Sequence, residues 1–338
     1  VSAQPANAHH WPVYGHDWAV GYLRKAMLNN RVRHAYLIVG PNNIGKETFA
    51  LAFAMALNCM QEDLSLRPCG ECRACKRIKS GNHIDMLYSE TDGNSGALRI
   101  DAVRDVTNRI AMKPYEGRYR VAIMRDFHRA QPRAQDALLK TLEEPPPHAV
   151  LILLANALEP ILSTITSRSQ VIYLRPVAAQ VTQQVLTTHY ATEPQQAGLL
   201  ARFSGGRIGW AIEAAHNPEL QEQRTVALDL LEEVIGATVA ERFHLAADLG
   251  KDKAALLPLL ELWLTFWRDA LLLLQEANVR LVNDDRRVSI EQLGYDFTVA
   301  DARKAIDATQ TMIKNLNYNL NTRLALEVMF LDYPRKGR

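Results

Sequence analysis

The feature that most constrains this 338-residue sequence is a series of short apolar runs separated by helix-like stretches. His34-Ala35-Tyr36-Leu37-Ile38-Val39 ends at Gly40, and Lys46–Asn58 follows as an apolar-rich helix. An apolar run that stops at glycine reads as a buried strand entering a tight loop. Met86–Ser89, Tyr119–Met124, Val150–Ala155 and Gln170–Leu174 repeat the strand pattern. Asp101–Ala111 carries Val103, Val106 and Ile110 at helical spacing. Gln135–Glu144 reads as a helix stopped by Pro145-Pro146-Pro147. Val13–Asn30 reads as a polar lead-in and a helix with Val20, Leu23, Ala26 and Met27 on one face, and Asp92–Gly96 as a turn. Strands alternating with helices predict an α/β domain: a parallel sheet with helices on both faces.

After Pro176 the pattern becomes helical to the end, with breaks at Gly205-Gly206, Asn217-Pro218, Gly250 and Asn283-Asp284-Asp285. The expected division is an α/β domain over 1–175, with an inserted module at 59–75. A small helical module over 176–216 and a helical bundle over 217–338 follow. Hydrophobic residues at 48% and charged residues at 22% exclude wholesale disorder. A net charge of +2 argues against a protein that coats nucleic acid, while leaving room for a local basic face. The apolar runs fall short of the roughly 18 residues of a membrane span. Val1–His10 lacks the basic head and apolar centre of a signal peptide. The expectation is a cytoplasmic protein with no membrane association.

Gly40-Pro41-Asn42-Asn43-Ile44-Gly45-Lys46 fits the G-x-x-x-x-G-K phosphate loop, between a strand and a helix as that motif requires. Gly40, Gly45 and Lys46 are therefore the candidate phosphate-binding residues. The next position should offer a hydroxyl to magnesium, but it holds Glu47, with Thr48 one place late. In Val121-Ala122-Ile123-Met124-Arg125-Asp126, Arg125 stands where a magnesium-binding acid is expected, and only Asp126 remains as an acid. Two separate departures point to a loop that has kept its shape and lost ATP turnover. Lys46 leaves loose binding of phosphate or nucleotide open.

All four cysteines fall within seventeen residues, as C-x9-C-x2-C-x2-C: Cys59, Cys69, Cys72 and Cys75. Overlapping C-x-x-C units suit a tetrahedral thiolate site, and four thiolates leave no open position for a catalytic water. A structural zinc is expected. If Cys59 were a core thiol instead, His83 could supply the fourth ligand. A redox pair is the weaker alternative.

With these residues in hand, the chain resembles the delta-prime family of bacterial DNA polymerase III clamp-loader subunits, which are AAA+ proteins, over essentially its whole length. The resemblance is carried by His34-Ala35-Tyr36-Leu37, the altered phosphate loop, the four cysteines and Ser80-Gly81-Asn82-His83-Ile84-Asp85. It extends to Ala137-Leu138-Leu139-Lys140-Thr141-Leu142-Glu143-Glu144-Pro145-Pro146, a string highly specific to clamp-loader subunits, and to Ser163-Thr164-Ile165-Thr166-Ser167-Arg168-Ser169. In the last segment Ser169 replaces the family's Cys. The tau/gamma ATPase subunit of the same machine also carries a four-cysteine site. Its phosphate loop and magnesium acid are intact, however, and its lid has a phosphate-sensing arginine where this chain has Gly209.

The resemblance implies an AAA+ α/β domain, a helical lid and a C-terminal collar through which subunits associate. Leu256–Leu274 and Leu316–Leu331 are the candidate collar faces. It further implies a non-hydrolysing stator of the replicative clamp loader, part of the DNA polymerase III holoenzyme. Such a subunit assembles with tau/gamma and delta to load the sliding clamp onto primed DNA. Arg168 would act in trans, in the ATP site of a neighbouring subunit. The alternatives are an active tau/gamma-like ATPase and a zinc-dependent nucleic-acid-binding module.

Overall fold

The apolar runs assemble into one five-stranded sheet in the computed structural model, which describes residues 11–89, 97–277, 279–316 and 320–335. The strands are β1 (Ala35–Val39), β2 (Met86–Tyr88), β3 (Arg120–Met124), β4 (Ala149–Ala155) and β5 (Gln170–Tyr173). Their order is β2-β3-β4-β1-β5 and every pairing is parallel. Every residue of β1 and β4 is buried, which is why these two strands read as unbroken apolar runs.

The helices of this part are α1 (Asp17–Leu28), α2 (Lys46–Asn58), α3 (Arg73–Lys79), α4 (Ile100–Ile110), α5 (Pro132–Glu143) and α6 (Ser163–Thr166). Side chains alternate across a strand, so Tyr36 and Leu37 serve opposite faces. Leu37 joins Val103, Val106 and Leu138 of α4 and α5 in one core cluster. Tyr36 meets Phe53 of α2 edge-on, with ring centroids 5.0 Å apart. The parallel sheet with a helix layer on each face matches the expected α/β class. The expected turn at Asp92–Gly96 and the Val1–His10 segment lie outside the described residues.

The elements after β5 are all helices: α7 (Ala179–His189), α8 (Pro194–Phe203), α9 (Ile208–His216), α10 (Pro218–Gly236), α11 (Val239–Leu249), α12 (Lys253–Leu274), α13 (Arg287–Leu293), α14 (Val299–Asn315) and α15 (Thr322–Asp332). The predicted breaks fall between consecutive members of this series. The chain divides into two compact units: residues 1–182 with 206–209, and residues 183–205 with 210–338.

In the second unit, Leu186, Ala197, Leu200, Ala211 and Ala214 form a small apolar cluster of their own. A larger one is built around Trp263, Phe266, Trp267 and Phe330. Arg242 is fully buried inside the larger cluster and donates to the carbonyls of Val234, Ile235, Phe330, Tyr333 and Pro334. One guanidinium thereby satisfies three last-turn carbonyls of α10 and α15 and the two that follow α15. Burial lowers its pKa to about 10.

Candidate functional site

Three segments meet at the C-terminal edge of the sheet, where open α/β sheets bind their ligands. They are the loop after β1, the turn after β3 and Asn156 after β4. Gly40 is required there by space: a Cβ would lie 2.6 Å from the carbonyl oxygen of Leu174. Gly45 caps α2 with φ +101°, a conformation L side chains rarely adopt. The loop therefore holds the bend that its glycines predict.

Its charges are arranged unlike those of a site waiting for phosphate. The Lys46 ammonium donates to the carbonyls of Gly40 at 2.6 Å and Pro41 at 2.8 Å, and to Asn156 Oδ1 at 2.8 Å. Asn156 in turn donates to Asn42 Oδ1 at 2.9 Å, and its backbone N–H reaches His128 Nδ1 at 3.4 Å. His128 is held neutral by burial, its pKa lowered to about 4. Asn156 and His128 were not picked out from the sequence. The available signal was a polar residue directly after the all-apolar run Val150–Ala155.

The two departures from the ATPase pattern touch one another. Arg125 donates to Glu47, and its guanidinium lies over the Tyr88 ring, 5.1 Å from the centroid. The bond to Glu47 raises the Arg125 pKa above its ordinary value. Gly209 also closes on this loop. Its N–H donates to Asn43 O at 2.8 Å, and a Cβ at Gly209 would come within 2.7 Å of that same oxygen. The backbone as it stands leaves no room there for a sensing side chain.

Arg168 is elsewhere. It precedes β5, which runs parallel to β1 with Gln170 opposite Tyr36 and Tyr173 opposite Val39. Arg168 therefore lies at the N-terminal edge of the sheet and the phosphate loop at the C-terminal edge, about 10–13 Å of strand apart. Arg168 donates to Thr164 O at 3.0 Å and pairs with Glu143 of α5 at 3.0 Å, with both side chains substantially exposed.

The cysteines converge. The Sγ atoms of Cys59, Cys69, Cys72 and Cys75 lie within 4.8 Å of one another, close to the roughly 3.8 Å separation that tetrahedral Zn–S bonds of about 2.3 Å impose. Backbone amides already point at the sulfurs: Cys69 N–H to Cys59, Cys72 N–H to Cys69 and Cys75 N–H to Cys72, at 3.3–3.4 Å. Burial works to raise the Cys72 pKa, but the Cys75 and Met60 amides outweigh it and bring it to about 7. Burial pushes the Cys59 and Cys75 thiols up. All four are free thiols, and the donor set fits a thiophilic metal.

His83 is engaged otherwise. Its Nδ1 accepts from the Asp85 N–H at 3.2 Å, and its Nε2 lies 3.7 Å from Glu116. Asp85 accepts the N–H groups of Tyr115, Glu116 and Gly117, and Asn58 Oδ1 accepts those of Arg118 and Tyr119. The Ser80–Asp85 string thus anchors the loop before β3.

Comparison with known proteins agrees with this geometry. A family model described as DNA polymerase III, delta subunit, matches residues 15–178. The tau subunit of DNA polymerase III from Bacillus subtilis is 36% identical over 168 residues, which is 50% of this chain and 29% of that protein. The chain thus spans less than a third of the tau relative. The delta-prime subunits extend across nearly the whole chain. That of Bacillus subtilis is 28% identical over 91% of this chain and 93% of its own length. That of Pseudomonas aeruginosa is 30% identical over 89% of this chain and 91% of its own length. With that identity extending over nine-tenths of both chains, the chain belongs to the bacterial DNA polymerase III delta-prime subunit family.

Proposed function

We propose that this chain is a non-hydrolysing stator of the bacterial replicative clamp loader. It assembles with the tau/gamma and delta subunits in the cytoplasm and helps load the sliding clamp onto primed DNA, using ATP held by its neighbours. The observation that carries this reading is the Arg125–Glu47 pair, which puts a guanidinium where magnesium's acid belongs. Lys46, turned onto the loop's own carbonyls, leaves at most loose nucleotide binding at Gly40, Gly45 and Lys46. The higher local identity to tau favours an active ATPase as the second reading. The charge pair at Glu47 and Arg125 weighs against it.

The three-part layout is an α/β domain over 1–175, a lid over 176–216 and a collar over 217–338. Of the two candidate collar faces, Leu256–Leu274 is chiefly internal core, with Leu256, Leu260, Trp263, Phe266 and Trp267 buried. In Leu316–Leu331, Leu320, Leu324, Val328 and Leu331 are about half exposed. Leu324, Val328 and Leu331 share one face of α15, and that face is the proposed subunit contact. Residues 317–319 of this stretch lie outside the described residues. A structural zinc on Cys59, Cys69, Cys72 and Cys75 pins the inserted module; no helix among the described residues is long and apolar enough to cross a membrane.

Arg168 completes the ATP site of a neighbouring subunit. Its place on the edge opposite its own phosphate loop argues against a role in cis. An exposed ion pair such as that with Glu143 is worth about 0–1 kcal/mol, so it yields readily to a phosphate. The test is Arg168→Ala in the reconstituted assembly. Clamp-loading ATPase should fall while assembly and zinc content stay normal. An unchanged rate in an intact assembly removes this role.

A further inference from the structure

The basic face beside the cysteine cluster has no part in the ATP-site reading. Helix α3 carries Arg73, Lys76, Arg77 and Lys79 in seven residues, with no acid. Arg73 and Arg77, one turn apart, both reach Glu116, at 3.4 and 2.8 Å. With Asn82, Arg109 and Tyr115 they line an open groove of about 580 Å³. Three guanidinium groups thus share the groove with one carboxylate; Asp105 meets Arg109 at 3.1 Å, one helical turn away on α4.

Tyr115 is 80% exposed, although its backbone is firmly held. Its own N–H and those of Glu116 and Gly117 all end on the buried Asp85 carboxylate. Helix α3 is held equally firmly, with Cys72 as its N-cap and Cys75 within it. Two anchored elements therefore present arginines and a bare aromatic ring to one groove. Arginines at a groove track a phosphate backbone, and an exposed ring on a rigid loop is a platform for an unpaired base. An acidic peptide would satisfy the arginines and give the ring nothing to stack on. A duplex keeps its base faces covered.

We propose that this groove binds single-stranded nucleic acid, with Arg73, Arg77 and Arg109 taking phosphates and Tyr115 stacking on a base. Glu116 orders the two α3 arginines and competes with the phosphates for them. The cysteine cluster, by holding α3, sets the spacing of the site.

The test is fluorescence anisotropy of labelled 20-mers of thymidylate and uridylate with the full chain, titrated against salt. Three phosphate contacts predict a slope of log Kobs on log[salt] of about −2, falling to about −0.7 in Arg73→Ala/Arg77→Ala. Tyr115→Ala should weaken binding about fivefold or more, the loss of one stacked base, and leave an abasic 20-mer unaffected. Glu116→Gln should tighten binding, a direction that loss of structure cannot mimic. Zinc content and far-UV spectra confirm that each variant is folded. An unchanged salt slope in the double arginine variant, weaker binding by Glu116→Gln, or equal competition by polyglutamate overturns the proposal.

Discussion

Arg125 and Glu47, 78 residues apart in sequence, form an ion pair at the C-terminal edge of the sheet. Each alone departs from an ATPase pattern, and together they cancel. The carboxylate that would repel phosphate is neutralised by the guanidinium that would repel magnesium, and the guanidinium also lies over Tyr88. Both side chains are 45% exposed, so the pair is worth about 0–1 kcal/mol after solvent screening. A double-mutant cycle with Glu47→Gln and Arg125→Gln, read by urea unfolding, should give a nonzero coupling of up to about 1 kcal/mol at low salt, shrinking with added salt. Strict additivity at low salt would mean that the two residues do not interact in solution.

The strands were legible in sequence because β1 and β4 are buried along their whole length and leave no polar positions to blur the signal. Helix α2 began and ended where its composition said it would. Helix α3 was not legible. It has seven residues, too few for its short buried stripe of Ala74, Cys75 and Ile78 to declare a period, and Cys72 caps it. Helix α6, at four residues, is shorter than any periodicity can reveal. The departures at Glu47 and Arg125 could be read singly, but their pairing could not. Pairing depends on the order of β3, β4 and β1 in the sheet, which no local pattern encodes. Asn58, a lone polar residue ending an apolar helix, was the overlooked signal for the loop it anchors.

Metal analysis should find one zinc per chain. Trp11 donates its indole N–H to Arg67 O at 3.0 Å, inside the segment spanned by the cysteines. Removing the metal with a chelator should therefore alter the fluorescence of Trp11 and open residues 60–72 to proteolysis. A Trp11→Phe variant should lose the fluorescence change and keep the proteolytic one. Equal protease resistance with and without metal would contradict a structural role.

Acid should destabilise the α/β domain through His128. Its folded pKa of about 4 lies below the unfolded value of 6.5, because burial disfavours the imidazolium. Between these values the unfolded chain binds more protons. Stability present above pH 6.5 is therefore lost as pH falls towards 4. Burial also lowers the His16, His34 and His83 pKa values, which adds in the same direction. From pH 7.5 to pH 5 the His128 share is about 2 kcal/mol. His128→Gln should flatten the unfolding free energy over this range by about that amount, and an unchanged pH profile would refute the assignment.

The exposed face of α15 should matter only in the assembly. Leu324→Asp with Val328→Asp changes two exposed positions, so the isolated chain should unfold within about 1 kcal/mol of the parent. Co-purification with the tau/gamma and delta subunits should fall sharply. Full retention of the partners would place the contact on another surface.

The central claim, that this chain does not turn over ATP, is tested most directly by a magnesium-dependent ATPase assay on the purified chain. Glu47 and Arg125 take the positions of the metal's ligands, and Lys46 is bonded to Gly40, Pro41 and Asn156. The account predicts phosphate release indistinguishable from the protein-free blank, unchanged by Lys46→Ala. Magnesium-dependent turnover that Lys46→Ala abolishes would contradict it.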